Sequence, residues 1–197
     1  LSGSTKIKIR QIVEKFKLDL RLTPNQDILL CNIGSFQRNS ITRELKEIGL
    51  ETKVNKHSIS NHALACPALP LCGLAITEAE RLLPKVIYRL EKQLNNIGIK
   101  KSILLRMTGC PNGCARPYMA ELALVGSAID QYQLWLGGSP NLERLAKPYL
   151  QKMNIDQLEK TIEPLLLSWK EADLGISFGD HIYRLGDQAI NKLLQNP

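Results

Sequence analysis

The stretch that decides the fold runs from residue 66 to residue 114 and contains two short cysteine loops. It begins with Cys66-Pro-Ala-Leu-Pro-Leu-Cys72 and ends, after thirty-seven further residues, with Cys110-Pro-Asn-Gly-Cys114. Four of the five cysteines therefore stand in two close pairs, each with a proline directly after its first cysteine. Thiolates bind soft metals, so two such loops from distant parts of a chain can together surround one metal centre.

The gaps within the two pairs, five and three residues, bear on which kind of centre this is. Structural zinc usually takes cysteines about two to four residues apart in polar, knuckle-like loops. Both loops here are instead rich in Pro, Gly, Ala and Leu, which suits a bulky cluster in an apolar site where burial tunes the potential. The pattern favours a 4Fe–4S cluster. Zinc, and ordinary buried or disulfide-bonded cysteines, are the alternatives.

Composition limits the class of protein. The chain has 197 residues, of which 44% are hydrophobic and 23% charged, as is usual for a globular protein. No apolar run is long enough to span a membrane, and the start lacks the apolar core of a signal peptide. An odd number of clustered cysteines argues against a secreted disulfide framework. We therefore expect a reducing compartment, no membrane partner and a cytoplasmic location, or the plastid stroma in a photosynthetic eukaryote.

The net charge of +7 predicts acidic partners, because a basic surface speeds encounter with anions and acidic proteins. Nucleic acid is not expected as a partner. The basic residues are scattered, and only ten residues are Phe, Tyr or Trp, so no strip of interleaved basic and aromatic side chains exists. An acidic electron carrier agrees better with the cysteine pairs.

The first predicted domain comprises residues 1–57. The spacing of its apolar residues predicts a helix, two strands and a second helix, over Ile9 to Phe16, Leu18 to Leu22, Ile28 to Ile33 and Ile41 to Ile48. Gly49 can end the second helix in a left-handed conformation. These are the inner elements of a ferredoxin-like repeat. Cys31, in the second apolar run, is predicted to be a packed thiol because a free cysteine behaves as a small hydrophobe.

The second predicted domain, residues 58–197, is of α/β type, which makes the chain α+β overall. Thr77 and Glu80 have the spacing of a capping box, which predicts that a helix starts there. Pro84 is expected to interrupt that helix or to begin a fresh turn, and Gly98 to end it. His57 and His62 flank the first cysteine loop, but neither is assigned to metal, since four thiolates already complete a ligand set.

Three strands and two further helices are predicted beyond Gly98. Residues 102–107 read as a buried strand that leads to Gly109 and Cys110, and residues 120–128 as the returning strand of a hairpin-like support. Residues 132–136 alternate as a strand should, and Gly137 and Gly138 end them. A long helix follows the cap-like Asn154, and a closing helix follows Ser177.

Longer motifs around the cysteines resemble the siroheme-dependent sulfite and nitrite reductases, and most of all the ferredoxin-dependent sulfite reductases of cyanobacteria and plastids. The motifs cover most of the chain and are Ala65–Cys72, Ile76–Arg81, Thr108–Glu121, Leu136–Gly138 and Ser177–Asp180. The resemblance implies a 4Fe–4S cluster held by Cys66, Cys72, Cys110 and Cys114. It also implies a siroheme whose iron is bridged to the cluster by the catalytic Cys114.

The resemblance further implies which residues contact siroheme. They are Asn25, Gln26, Asn112, Arg116, Gly137 and Gly138. Arg116 is apt because a guanidinium binds carboxylates in a bidentate manner and siroheme bears eight of them. For Asn25 and Gln26 ordinary hairpin-turn chemistry is an equal alternative, and paired glycines are commonly turns.

The reaction implied is the six-electron reduction of sulfite to sulfide, with reduced ferredoxin as the electron donor. Gly113 and Ala115 favour sulfite, because the nitrite reductases of this group typically have Thr and Gly there. In the family the first strand of the repeat and most of the oxyanion-binding Arg and Lys lie upstream, in a half of the enzyme that would precede Leu1. The 197-residue chain alone is therefore expected to be inactive. A nitrite reductase portion and a non-catalytic zinc protein are the alternatives.

Overall fold

A computed structural model of the chain describes residues 3–25, 27–50, 58–172 and 175–195. The chain divides into two compact units, Leu1–Asn55 and Lys56–Pro197. This division falls two residues before the predicted boundary between residues 57 and 58. Helices and two separate sheets occur together, so the predicted α+β class is confirmed.

The first unit has the predicted order of helix, strand, strand and helix. Its elements are α1 (Gly3–Phe16), β1 (Asp19–Leu22), β2 (Ile28–Cys31) and α2 (Arg38–Glu47). β1 and β2 pair antiparallel, and the helices bury Ile12, Ile41 and Leu45 in a small core with Leu18. Gly49 follows α2 in the left-handed conformation, with φ of 80°, and its N–H donates to the Lys46 carbonyl, as its sequence position predicts.

The second unit is built on a five-stranded mixed sheet. Its strands, which stand side by side in chain order, are β3 (Leu64–Ala65), β4 (Leu105–Thr108), β5 (Leu122–Ala128), β6 (Gln131–Leu136) and β7 (Lys147–Asn154). β3, β4 and β5 are parallel, whereas β6 and β7 join antiparallel. Three helices belong to the same unit: α3 (Leu83–Ile97), α4 (Leu158–Ala172) and α5 (Phe178–Gln195), the last interrupted at Gly186.

The predicted hairpin-like pairing of residues 102–107 with residues 120–128 is wrong. β4 and β5 are neighbours, but they run parallel, with Leu105 opposite Leu122 and Thr108 opposite Val125. Parallel neighbours require a crossover connection rather than a tight turn. Residues 109–121, with the second cysteine loop and a 3-10 helix at Pro117–Met119, provide it. The cysteine loop is therefore part of a crossover.

The predicted helix start at Thr77 is also wrong. α3 begins at Leu83, and Pro84 lies in its first turn, where a missing N–H costs no intrahelical hydrogen bond. Thr77 has a tertiary role instead, since its hydroxyl accepts a hydrogen bond from the Asp130 N–H and lies 3.2 Å from the Tyr132 hydroxyl. α3 ends at Gly98, left-handed with φ of 84°, as predicted.

The two faces of the sheet differ in chemistry because successive side chains of a strand point to opposite sides. One face packs into the apolar core together with α3, α4 and α5, and we call it the helix face. The strand residues on this face include Leu105, Met107, Leu122, Leu124, Leu134 and Leu136. The other, here the cysteine face, has Arg106, Thr108, Ala123, Val125, Gln133 and Trp135 in register. Within the described ranges, no helix combines the length and apolarity needed to cross a bilayer.

Candidate functional site

The first cysteine loop leaves β3 directly. The Cys66 N–H donates to the Met107 carbonyl at 3.2 Å, which continues the pairing of β3 with β4 by one residue. The loop then turns back on itself: the Cys72 N–H donates to the Ala68 carbonyl at 2.8 Å, and Ala68 is buried in the left-handed region with φ of 51°. Non-glycine residues rarely adopt this conformation, and its cost is tolerated where the surroundings fix the backbone.

Gly109 joins the two cysteine loops. Its carbonyl accepts hydrogen bonds from the N–H groups of Ile76 and Thr77, at 2.8 and 3.1 Å, and its own N–H donates to the Cys66 sulfur at 3.3 Å. A Cβ at this position would lie 2.5 Å from the Thr77 carbonyl oxygen and 2.6 Å from Ala68 Cβ. Only glycine therefore allows the segment before Cys110 to approach the first loop this closely.

Three of the four paired cysteines lie within electrostatic reach of one another. Burial raises the pKa of the Cys66 thiol, N–H groups of Gly109 and Ala68 oppose the rise, and the thiols of Cys114 and Cys110 add to it. Cys110 is buried, Cys66 and Cys72 are half-buried and Cys114 is exposed. The two loops thus meet at one place, and the predicted bridging thiol is the most accessible of the four.

The cysteine side chains do not converge on a single point. Among the residues that the structure describes, no three His, Cys, Asp or Glu side chains converge closely enough to hold one metal ion. A 4Fe–4S cluster makes a different demand, because each thiolate binds its own iron at a corner of a cube, so the sulfurs stand further apart than around one ion. His62 is exposed at the end of a 3-10 helix, and His57 lies outside the described residues.

The second loop is held over the sheet by Tyr118. The Tyr118 hydroxyl donates to the Pro111 carbonyl at 2.7 Å, and its ring packs on Trp135 of the cysteine face with centroids 4.6 Å apart. Gly113 has φ of 69°, and a Cβ there would lie 2.8 Å from the Tyr118 ring. Position 113 therefore requires glycine for two reasons, its left-handed backbone conformation and the closeness of the Tyr118 ring.

Beneath the loop lie buried polar atoms without protein partners. On the cysteine face Arg106 Nε and Thr108 Oγ1 have no hydrogen-bond partner. Arg106 Nη1 donates to the Ala115 carbonyl at 3.1 Å, which fixes this face against the second loop. Buried polar groups are nearly always hydrogen-bonded, so this clustering beside the cysteines suits a site that takes a polar or charged group.

The predicted siroheme contacts fall into three places. Asn112 is exposed and Arg116 half-buried on the second loop, where Arg116 is left-handed with φ of 54°. Gly137 and Gly138 donate to the carbonyls of Glu121 and Ala120, where the crossover rejoins the sheet. A Cβ on Gly138 would collide with the Ala120 backbone, which explains that glycine by close packing alone.

Asn25 belongs to the first unit. It lies in the β1–β2 turn, and its N–H donates to the Thr23 hydroxyl at 3.3 Å, so hairpin-turn chemistry accounts for its place. Gln26 lies outside the described residues. Cys31 is a half-buried free thiol at the end of β2. The siroheme roles of Asn25, Gln26, Asn112, Arg116, Gly137 and Gly138 remain predictions.

Sequence reasoning missed Arg106 and the structural role of Glu121. Glu121 is 3% exposed, and its carboxylate accepts hydrogen bonds from the N–H groups of Leu104 and Gly179, both at 2.8 Å. Burial raises its pKa, against the effect of these donors. The motif Ser177–Asp180 is thereby tied to the start of β5. A charged residue inside an otherwise apolar strand was the available signal for Arg106.

Comparison with known proteins agrees with the motifs. Residues 1–48 match the model of the nitrite/sulfite reductase ferredoxin-like half domain. The chain is 44% identical over 190 residues to a ferredoxin sulfite reductase of Synechococcus elongatus, which covers 95% of this chain and 30% of that protein. It is 38% identical to the NADPH sulfite reductase hemoprotein beta-component of Staphylococcus saprophyticus, over 92% of this chain and 32% of that protein.

Solved structures show the same fold. The NirA protein of Mycobacterium tuberculosis superposes with a TM-score of 0.80 at 21% identity, over 96% of this chain and 37% of that one. The chain spans about a third of the length of the curated relatives it matches. The resemblance to the sulfite and nitrite reductases that the cysteine motifs indicate is therefore confirmed.

Proposed function

We propose that this relative of the sulfite and nitrite reductases is the C-terminal, cofactor-binding portion of a ferredoxin-dependent sulfite reductase. In this proposal Cys66, Cys72, Cys110 and Cys114 would hold a 4Fe–4S cluster, and Cys114 would also be the residue that connects it to siroheme. The observation that carries it is the junction at Gly109, where two cysteine loops far apart in sequence share hydrogen bonds and bring three thiols within electrostatic reach.

The residues present fit these groups. Four thiols in apolar loops are the donor set of a cubane cluster, and they require no further ligand. The partnerless atoms of Arg106 and Thr108 provide buried polarity beside the second loop. Asn112 and Arg116 stand on the same loop and would meet siroheme at its carboxylates, with Gly137 and Gly138 at the other end of the crossover.

The cofactors, when bound, supply the one-electron chemistry by which sulfite is reduced to sulfide. The chain's own residues would position the cofactors and tune the protonation of the thiols that hold them. Burial raises the pKa of the Cys66 thiol, and the hydrogen bond from the Gly109 N–H to its sulfur opposes that rise by favouring the thiolate. Cys114 offers an exposed sulfur for a second group, and Tyr118 holds the loop between Cys110 and Cys114 through the Pro111 carbonyl.

Substrate and electron donor rest on the relatives and on two residues. Gly113 and Ala115 support sulfite over nitrite, and the higher identity to the ferredoxin-named enzyme supports ferredoxin as donor. The basic residues that grip the oxyanion would come from an upstream portion of the enzyme. Accordingly this chain alone is not expected to turn over sulfite, and its free thiols suit a reducing, cytoplasmic compartment.

Anaerobic reconstitution with iron, sulfide and siroheme tests the proposal. The expected result is a broad iron–sulfur absorption, an amount of non-siroheme iron equal to the acid-labile sulfide, and a paramagnetic signal on reduction. A chain that takes up zinc stoichiometrically, or no metal, would contradict it.

Joined to an upstream portion from a ferredoxin sulfite reductase, the chain is expected to reduce sulfite faster than nitrite. The opposite preference favours the nitrite reductase alternative.

A further inference from the structure

Arg106 is a buried cation on the cysteine face of the sheet. It stands in β4 between Leu105 and Met107, whose side chains enter the helix-face core, so its own side chain lies on the opposite side. It is 2% exposed. An arginine is almost never buried to this extent unless it is paired, because removing a charge from water is costly.

No carboxylate of the described residues forms an ion pair with this charge. Arg106 Nη1 donates to the Ala115 carbonyl, but Nε has no hydrogen-bond partner. Burial lowers its pKa, and the positive charge of Arg116 lowers it further. A second cation nearby sharpens the need for negative charge at this place.

The surroundings indicate where that negative charge enters. Ala115, which Arg106 holds, directly follows Cys114, and Cys110 follows β4 two residues beyond Thr108, whose hydroxyl also lacks a partner. Cys66, Cys110 and Cys114 lie within electrostatic reach of one another at the same end of the strand. Thiols that bind a metal centre do so as thiolates, so filling the site adds negative charge beside the guanidinium.

We propose that Arg106 is a positioning residue of the cysteine site, with two tasks. Its guanidinium fixes the loop between Cys110 and Cys114 through the Ala115 carbonyl, and its charge balances the thiolates and the group they hold. The proposal rests on the proposed cluster. A fixed positive charge close to a cluster favours the reduced state, which is more negative, so Arg106 raises the reduction potential.

Three variants of the reconstituted chain test the proposal. Arg106→Met keeps an unbranched apolar stem and removes the charged guanidinium, whereas Arg106→Lys keeps the charge. Arg89→Met is the matched control: Arg89 is also a shielded arginine, but it is on α3 and pairs with Glu159 of α4. Circular dichroism reports folding, iron content reports occupancy, and a spectroscopic redox titration reports the potential of the cluster.

Arg106→Met is expected to shift the cluster potential to a more negative value, Arg106→Lys to restore most of that shift, and Arg89→Met to leave it unchanged. If Arg106→Met retains no cluster, retention by folded Arg106→Lys and Arg89→Met supports the role of charge. An unchanged potential in Arg106→Met overturns the proposal. Equal loss of the cluster from both Arg106 variants while both stay folded overturns the charge-balancing task, because lysine keeps the charge. A wild-type chain that holds no cluster overturns the proposed function instead, so the two failures are distinguishable.

Discussion

The Gly109 N–H donates a hydrogen bond to the Cys66 sulfur at 3.3 Å across forty-three positions of sequence. This contact sets the end of β3 and the end of β4 side by side, and it is where the first cysteine loop meets the approach to the second. Packing at this junction is tight, because a Cβ on Gly109 or on Gly126 would enter occupied space. Its glycines are therefore the most direct means of disturbing the site without touching a thiol.

Gly126→Ala is expected to lower the free energy of unfolding by about 1–3 kcal/mol. A Cβ there would collide with the Gly109 carbonyl and lie 2.7 Å from Thr77 Cγ2, so the junction must shift. Gly73→Ala is the matched control. Gly73 is exposed between the two cysteine loops, and a Cβ there meets nothing within 4 Å.

Urea denaturation of the two alanine variants measures this difference. Gly73→Ala is expected to stay within about 0.5 kcal/mol of the wild type. Equal unfolding midpoints for Gly126→Ala and Gly73→Ala would show that the close approach of β5 to Gly109 is not a constraint in solution.

Tyr132→Phe is expected to lower the free energy of unfolding by about 1–2 kcal/mol at neutral pH. The buried Tyr132 hydroxyl donates to the Glu78 carbonyl at 2.7 Å and lies 3.2 Å from the Thr77 hydroxyl. Phenylalanine has no hydroxyl, so the Glu78 carbonyl and the Thr77 hydroxyl each lose this hydrogen-bond partner. Tyr88→Phe, at an exposed position of α3, is the control and is expected to be neutral.

The same tyrosine predicts a dependence on alkaline pH. Burial raises the pKa of Tyr132 to about 12. The folded state thus holds the proton more tightly than the unfolded chain, and the stability from this group is lost as pH rises from about 10 through about 12. The difference between wild type and Tyr132→Phe should shrink over that window. A difference that grows there would contradict the assignment.

Glu121→Gln tests the buried carboxylate at the start of β5. Burial raises the pKa of Glu121, so the folded state binds its proton more tightly than the unfolded chain does. Stability from this group is therefore present below the ordinary glutamate pKa of about 4.3 and is lost as pH rises through the raised value. Glutamine does not titrate, so the stability of wild type relative to Glu121→Gln should fall with rising pH.

Denaturant titrations of wild type and Glu121→Gln from about pH 4 to about pH 8 measure this relation. Taking the difference between the two chains cancels carboxylates that do not interact with Glu121, such as Asp187, whose pKa is lowered by its hydrogen bonds with Tyr149 and Lys147. A relative stability that rises with pH would mean that the N–H donors of Leu104 and Gly179 outweigh burial.

The local elements were predictable because their signals are local. Helical spacing, period-two alternation in β6 and the left-handed glycines at Gly49 and Gly98 each follow from a few neighbouring residues. The cysteine pairs likewise pointed to a shared site through spacing alone. What these signals could not contain was the direction in which distant strands pair.

The errors have specific physical causes. Residues 109–121 connect β4 to β5, and a segment of this length suits either a long hairpin loop or a crossover. The two strands pair in parallel, so the segment is a crossover. Thr77 has the pattern of a helix cap, but its hydroxyl is engaged with Asp130 and Tyr132. β7 was not predicted because this edge strand is mostly exposed and contains Pro148, so it lacks clean alternation.

The cluster content of five single Cys→Ser variants, reconstituted anaerobically in parallel, tests the central claim most directly. Cys66, Cys72, Cys110 and Cys114 are each expected to lose most of the iron, the sulfide and the paramagnetic signal of the reduced wild type. Cys31→Ser, which replaces the fifth cysteine, in the other unit, is expected to keep all three. Full cluster content in any of the four, or a loss in Cys31→Ser equal to theirs, would contradict the claim that these two loops hold one cluster.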